Sequence, residues 1–193
     1  MTSTGTPYPA CGAAPYKEPV RQRGRRYRAV DGAESEAMRR HLGAGRGRPA
    51  LDIGCGEGEL TAPLDRLGHR ATGIDCSPTA VAAARERRPG LDLRAMDFDV
   101  VEPDRLPHSA FAVVACRLVH RWAADEPALL SRVRRLLAPG GVFRVVTSVR
   151  TAGQGPPTSW DAGAADVELL TTRWSRVRIN ELDPSFRCYA LRP

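Results

Sequence analysis

The sequence contains almost no lysine and no long apolar run. Lys17 is the only lysine among 29 basic residues, so arginine carries nearly all of the positive charge behind the formal net charge of +7. No stretch approaches the roughly 20 apolar residues that cross a bilayer. The first residues also lack the charged and apolar regions of a secretory signal. These absences argue against membrane and secreted proteins and predict a cytoplasmic one.

Cysteine is present, but not in a pattern that binds metal or forms a disulfide framework. The five cysteines are odd in number and include no Cys-x-x-Cys pair. Such spacing disfavours both zinc sites and stapled secreted folds. We therefore expect free thiols, most of them buried, and no metal.

The N-terminal 30 residues differ in composition from the rest. They are rich in Pro, Gly, Arg and Tyr, show no periodicity, and carry six basic residues against one acid between Lys17 and Arg28. We interpret residues 1–30 as a basic arm that covers the domain, and residues 31–193 as one domain. A basic arm can also meet an acidic partner, including nucleic acid.

From residue 31 onward, helical and strand patterns alternate. We predict helices at 31–42, 58–68, 77–88, 125–141 and 163–172. The predicted strands are 50–54, 70–75, 91–98, 111–119, 142–149, 174–182 and 186–191. This alternation favours an α/β fold with one doubly wound, mostly parallel seven-stranded sheet. Helices cover both faces, and the closing strand pair adds one antiparallel edge strand.

The segment LDIGCGEG (51–58) indicates a ligand site. A buried strand opens into a turn with glycine at every second position, where a ligand can approach the backbone closely. The dinucleotide fingerprint has different glycine spacing. In addition, the carboxylate of Asp52 would repel a pyrophosphate but suits an ammonium group. Asp75 ends the second strand, where a carboxylate can bind ribose hydroxyls. A nucleoside with a cationic amino-acid tail, such as S-adenosylmethionine, meets these demands.

These motifs resemble the class I, seven-stranded S-adenosylmethionine-dependent methyltransferases. LDIGCGEG is similar to the family's glycine-rich first motif, GIDCSP (73–78) to its acidic second motif, and MDFD (96–99) to its third. LLAPGGVF (136–143) resembles the element that leads into strand five. The resemblance runs from about residue 50 to residue 149. It implies a methyltransferase with S-adenosylmethionine as cofactor.

The resemblance also implies roles for individual residues. Asp52 and the backbone of Gly54 and Gly56 would hold the methionine tail of the cofactor. Asp75 would bind the ribose. The adenine would meet Cys76, Asp97 and Phe98, and the sulfonium would lie near Cys116.

The segment after the fourth strand indicates the acceptor. ACRLVHRW (115–122) lacks the Asn/Asp-Pro-Pro-aromatic signature of nucleic-acid amino methyltransferases and the Pro-Cys motif of RNA cytosine enzymes. RLVHRW is instead similar to the segment found in small-molecule methyltransferases, such as those acting on quinone precursors. His120 is the candidate general base. The candidate acceptor contacts are Arg117, Trp122, Tyr16 and Tyr27.

Three functions stay open at the level of sequence. The favoured one is methyl transfer to a small-molecule acceptor. A second is an RNA- or protein-directed methyltransferase that uses the basic arm, for which steep salt dependence is expected. The third is a noncatalytic protein that binds S-adenosylmethionine.

Overall fold

The structure is a computed structural model, and it describes residues 29–100, 105–149 and 161–193. Its five helices are α1 (Gly32–Leu42), α2 (Thr61–Arg66), α3 (Pro78–Arg87), α4 (Glu126–Leu136) and α5 (Ala164–Thr171). The strands are β1 (Pro49–Ile53), β2 (Arg70–Asp75), β3 (Asp92–Ala95), β4 (Phe111–Arg117), β5 (Leu137–Val149), β6 (Asp161–Ala162), β7 (Arg176–Asp183) and β8 (Phe186–Arg192). A single 3₁₀ turn, His120–Trp122, follows β4. No helix within these ranges has the length and apolar character needed to cross a membrane.

Local sequence explains where the helices begin. Asp31 caps α1 by accepting a hydrogen bond from the backbone N–H of Glu34 at 2.8 Å, and Ser77 caps α3 through the N–H of Ala80 at 3.1 Å. Such caps satisfy backbone donors that have no partner inside the helix. Pro63 is the third residue of α2, so it lies in the first turn, where its missing N–H costs no helical hydrogen bond.

The sheet has the predicted doubly wound topology. Seven strands follow the order β3-β2-β1-β4-β5-β8-β7, and the two-residue β6 also pairs with β5. The strands from β3 to β5 are parallel. The C-terminal hairpin supplies the antiparallel pairing at the other edge, where β8 pairs with β5 and with the edge strand β7. The predicted mostly parallel α/β sheet is thus confirmed, with the short β6 as an eighth strand.

The predicted boundary between the fourth helix and the fifth strand is wrong, and the predicted helix 58–68 and strand 91–98 are shorter in the structure, at Thr61–Arg66 and Asp92–Ala95. The sequence pattern favours a helix to residue 141, but α4 ends at Leu136 and β5 begins at the next residue. Pro139 disfavours helical geometry in the residue before it. The backbone of Leu137 then pairs with Phe111, and a register shift after Phe111 accommodates the Pro-Gly-Gly segment within β5.

Alternate residues of β1 pack against different layers of helices. Leu51 belongs to the core that includes Leu129 and Val133 of α4. Ala50 belongs to a second core that contains Met38 of α1 and Leu64 of α2. Because side chains alternate along a strand, Asp52 lies on the same face of the sheet as Ala50, below α1 and α2.

Candidate functional site

A cavity opens at the carboxyl ends of the central parallel strands. This is the position where ligands bind in open α/β sheets. Three carboxylates, those of Asp75, Asp97 and Asp99, lie in its wall, and no lysine or arginine is among its described lining residues. The full lining is Ile53, Gly54, Ile74, Asp75, Cys76, Met96, Asp97, Phe98, Asp99, Cys116, Val119, Trp122, Ala123 and Leu129.

The glycine turn after β1 forms the floor of this site. The backbone N–H groups of Gly54 and Cys55 donate to the carbonyl of Ile74 at 2.8 and 3.0 Å, which holds the turn against β2. Gly54 has φ +72°, and a Cβ there would lie 2.6 Å from the side chain of Val119. Gly56 has φ +53°, and a Cβ there would meet nothing within 4 Å. The backbone at Gly56 therefore borders open space.

The Asp75 side chain, at the end of β2, accepts hydrogen bonds from two backbone segments, the glycine turn and the start of α3. Its Oδ2 accepts a hydrogen bond from the N–H of Gly56 at 2.9 Å, and its Oδ1 accepts one from the N–H of Ser77 at 2.9 Å. The Asp75 side chain therefore holds the glycine turn against the end of β2.

Asp52 lies beneath the glycine turn rather than in the wall of the cavity. It is 1% exposed, and its Oδ2 accepts a hydrogen bond from the Thr61 hydroxyl at 2.7 Å. Within the described residues, Oδ1 is buried without a hydrogen-bond partner. Burial raises the pKa of this carboxyl from 3.8 to about 6. An unmatched acceptor of this kind suits a cationic donor from a ligand.

The turn after β3 forms the opposite wall. Asp97 accepts the N–H of Asp99 at 3.0 Å, so its side chain stabilises the turn in which Phe98 lies. The guanidinium carbon of Arg132 lies 5.3 Å from the centre of the Phe98 ring, and Arg132 also donates to the carbonyl of Asp99 at 3.0 Å. Phe98 is therefore both a core residue and a wall of the cavity.

His120 is placed next to the cavity but does not line it. It is 1% exposed, while its neighbours Val119 and Trp122 are lining residues. Burial and, to a smaller extent, the charge of Arg121 lower the pKa of the imidazole to about 4. Neither ring nitrogen has a hydrogen-bond partner among the described residues. His120 is thus a neutral imidazole at neutral pH.

The 3₁₀ turn that carries His120 is tied to α5. Arg121 donates to Asp166 at 2.6 Å and lies 3.6 Å from Glu126. Asp166 also caps α5 by accepting the N–H of Gly163 at 2.8 Å. The segment after β4 is therefore held against the start of α5.

Arg117 is directed away from the cavity. Its guanidinium is bound by the carboxylate of Glu34 in α1, with the Nε–Oε1 distance at 2.9 Å, and also donates to the carbonyl of Ala29 at 3.2 Å. Arg144 of β5 lies 3.3 Å from the same carboxylate. Sequence analysis identified neither Glu34 nor Arg144. An arginine within an otherwise apolar strand does indicate a buried partner, but it does not indicate that the partner is Glu34.

The remaining predicted site residues divide into two groups. Cys76 and Cys116 line the cavity, as does Trp122. Tyr16 and Tyr27 lie outside the described residues. The structure thus brings Gly54, Asp75, Cys76, Asp97, Phe98, Cys116 and Trp122 together around one cavity, with Asp52, Gly56 and His120 beside it.

Comparison with known proteins identifies related sequences. Residues 51–145 match a family described as a methyltransferase domain. The chain is 38% identical over 127 residues to a ubiquinone biosynthesis O-methyltransferase of Paramagnetospirillum magneticum, covering 60% of this chain and 51% of the relative. It is 32% identical to a malonyl-[acyl-carrier protein] O-methyltransferase of Serratia marcescens, covering 69% and 52%. The chain therefore spans about half the length of these curated relatives.

Solved structures show the same fold. A S-adenosylmethionine-dependent methyltransferase from Aquifex aeolicus superposes with a TM-score of 0.66 at 18% identity, covering 82% of this chain and 88% of that one. Geranyl diphosphate C-methyltransferase from Streptomyces coelicolor gives 0.65 at 17% identity, covering 83% and 79%. The matched domain and the shared topology agree with the motifs that surround the cavity. The matched residues 51–145 therefore belong to a methyltransferase domain family, and the chain has the fold of S-adenosylmethionine-dependent methyltransferases.

Proposed function

We propose that this protein transfers a methyl group from S-adenosylmethionine to a small-molecule acceptor. The observation that carries the proposal is the charge of the cavity, which has three carboxylates and no cationic side chain among its described lining residues. A pyrophosphate-bearing dinucleotide would be repelled there. A nucleoside with an ammonium and a sulfonium group matches the charge.

The residues around the cavity fit this cofactor. Asp52 has an unmatched buried oxygen for the ammonium of the methionine tail. The open space at Gly56 lets the tail approach the backbone. We assign Asp75, at the end of β2, to the two ribose hydroxyls. Asp97, Phe98 and Cys76 are assigned to the adenine, and Cys116 to the region of the sulfonium.

The residues around the cavity would hold S-adenosylmethionine, which would supply the methyl group of its positively charged sulfur to the acceptor nucleophile. The task of this chain is to hold the two molecules aligned, which is the main source of acceleration for a good nucleophile. We keep His120 as the candidate general base; its ring is enclosed beside the cavity, so it can act only if it gains contact with the acceptor.

Relatives support a small acceptor. Besides the two O-methyltransferases above, the chain is 38% identical over 100 residues to a trans-aconitate 2-methyltransferase of Methylobacterium radiotolerans, covering 50% of this chain and 38% of the relative. We assign Trp122 to acceptor contact. Arg117 was predicted for the same role, but its pairing with Glu34 makes it unsuitable. Residues 1–30 remain our proposed lid over the 31–193 domain, with Tyr16 and Tyr27 as acceptor contacts.

We also propose that the reaction takes place in the cytoplasm. The four described cysteines, Cys55, Cys76, Cys116 and Cys188, form no disulfide with one another. Cysteines outside disulfides are typical of a reducing compartment.

The test is methyl transfer from labelled S-adenosylmethionine into a cell extract, followed by separation of the products by size. We expect the label in the small-molecule fraction. Label in RNA or protein would contradict the acceptor class, and steep salt dependence would then favour the basic arm. Binding of S-adenosylhomocysteine without any transfer would favour the noncatalytic alternative. Variants of the cavity carboxylates should lose methyl transfer. Asp92→Asn, which changes an exposed carboxylate at the start of β3, is their matched control and should keep it.

A further inference from the structure

Four charged side chains are buried together on the face of the sheet below α1. Asp52 of β1 pairs with Ala115 of β4, and Ala115 pairs with Arg144 of β5. Arg117 lies two residues beyond Ala115 on the same face, and Glu34 reaches this face from α1. Glu34 and Arg144 are 0% exposed, Asp52 is 1% and Arg117 is 7%.

Around Glu34, two positively charged side chains share one carboxylate, so one positive charge there is not balanced by Glu34. One carboxylate, Glu34, serves two guanidinium groups, at 2.9 Å from Arg117 and 3.3 Å from Arg144. The Nε of Arg144 has no hydrogen-bond partner among the described residues. A buried charge is stable only when it is balanced. Asp52 is the second carboxylate, and with it the group contains two negative and two positive charges.

We propose that Arg117 and Arg144, held in place by Glu34, are positioning residues for the cofactor. Their positive charge balances the buried carboxylate of Asp52. Because Glu34 belongs to α1, this charge balance couples the packing of α1 to cofactor binding. The proposal rests on the proposed function, since it assigns the Asp52 carboxylate to the ammonium of the methionine tail. The N-terminal region thereby takes part in cofactor binding although α1 does not line the cavity. Arg117 also binds the carbonyl of Ala29, so the same side chain holds the backbone just before α1.

Side chains of α2, β2, β4 and β5 influence the pKa of Asp52. The pKa of Asp52 is raised to about 6, mainly by burial and to a smaller extent by Asp75 of β2. The Thr61 hydroxyl of α2, Arg117 and Arg144 oppose this rise. A cation binds the ionised carboxylate and therefore competes with a proton. Affinity for the cofactor should thus fall as the pH drops through about 6, whereas an ordinary carboxyl would lose its charge only near pH 4.

The experiment measures S-adenosylhomocysteine binding to the full chain by calorimetry from pH 5 to pH 8. Arg117→Gln removes positive charge, so the pH at which affinity is half lost should rise by about one unit. Glu34→Gln leaves the two arginines less neutralised, so this midpoint should fall. The double variant should return the midpoint toward that of the wild type. A purely structural role would weaken binding in both single variants without moving their midpoints in opposite directions.

Controls separate this inference from the proposed function. Glu36→Gln changes an exposed carboxylate on the same helix and should leave the midpoint in place, whereas Asp52→Asn should abolish the pH dependence. Identical midpoints in wild type, Arg117→Gln and Glu34→Gln would overturn the coupling. Failure of the wild type to bind S-adenosylhomocysteine at any pH would instead overturn the proposed function. If a glutamine variant does not fold, carbon NMR of the wild type tests the contact on which the coupling depends: the Asp52 pKa must fall when the ligand binds, and an unchanged value refutes both that contact and the coupling.

Discussion

The carboxylate of Asp75 and the backbone N–H of Gly56 are joined by a 2.9 Å hydrogen bond across the site. This bond connects the end of β2 to the glycine turn after β1. The second oxygen of Asp75 accepts the N–H of Ser77, the residue that caps α3. A side chain expected from the sequence to serve only the ribose therefore also holds the turn that surrounds the ligand.

Asp75→Ala should weaken S-adenosylhomocysteine binding by on the order of 2–3 kcal/mol, because charge-assisted hydrogen bonds to two hydroxyls disappear. It should also lower the free energy of unfolding by about 1–3 kcal/mol, since the buried N–H of Ser77 and the partly buried N–H of Gly56 lose their acceptor. Calorimetry and urea unfolding measure the two effects. Unchanged affinity would show that Asp75 does not bind the ligand.

The sequence predicted the parts of the site that depend on local patterns. The glycine turn, the acid at the end of β2 and the caps of α1 and α3 are each encoded within a few residues. The pairing of Glu34 with Arg117 joins residues 83 positions apart, and only the folded sheet reveals it. The burial of His120 is a similar case. Its sequence neighbours indicate a loop at the cavity mouth, but they do not indicate that its ring is enclosed.

His120 should make stability depend on pH. Its pKa is about 4 in the folded protein and about 6.5 when unfolded. The depressed pKa means that the stability it confers is present above pH 6.5 and is lost as the pH falls toward 4. In His120→Gln this loss should be absent, so the difference in unfolding free energy between wild type and variant should change by about 3 kcal/mol between pH 7 and pH 4.

The comparison with the variant is necessary because other groups act in the opposite direction. Burial raises the pKa of Asp52 and that of Glu126 to about 6. Because these carboxyls bind a proton more tightly in the folded state, their protonation stabilises that state as the pH falls. His108→Gln, at an exposed position, is the matched control and should leave the profile unchanged. Parallel stability curves for wild type and His120→Gln would show that the imidazole is not held neutral by burial.

The same residue carries a kinetic prediction. If His120 takes the acceptor's proton, His120→Gln should reduce turnover roughly 100-fold while cofactor affinity stays the same. An unperturbed histidine would give a rate that rises near pH 6.5. Because burial lowers the pKa to about 4, we expect wild-type turnover to be flat across neutral pH in the absence of another titrating group. Equal turnover in wild type and variant would exclude His120 as the base.

Deletion of residues 1–28 should separate cofactor binding from turnover. The truncated chain keeps Ala29, whose carbonyl accepts a hydrogen bond from Arg117, and all described residues of the cavity. We expect cofactor affinity to stay within about twofold and turnover to be lost, because a lid that excludes water from the acceptor is removed. Calorimetry and labelled methyl transfer measure the two. Full activity of the truncated protein would refute the lid.

Gly56→Ala and Gly47→Ala form a matched pair that tests where the cofactor tail lies. Both glycines have positive φ, +53° and +72°, and an added Cβ would meet no protein atom within 4 Å at either. Each change should therefore cost about 1–2 kcal/mol of stability through backbone strain alone. Gly47 lies in the turn before β1, away from the cavity, whereas Gly56 borders the space assigned to the methionine tail.

The two variants should then differ only in binding. Gly56→Ala should reduce S-adenosylhomocysteine affinity at least about tenfold, because the new methyl group occupies space that the ligand requires at the backbone. Gly47→Ala should bind as the wild type does once its lower stability is allowed for. Urea unfolding and calorimetry on both proteins provide the comparison. If both variants lost the same affinity, strain in the chain would be the cause, and the tail would have to lie elsewhere in the cavity.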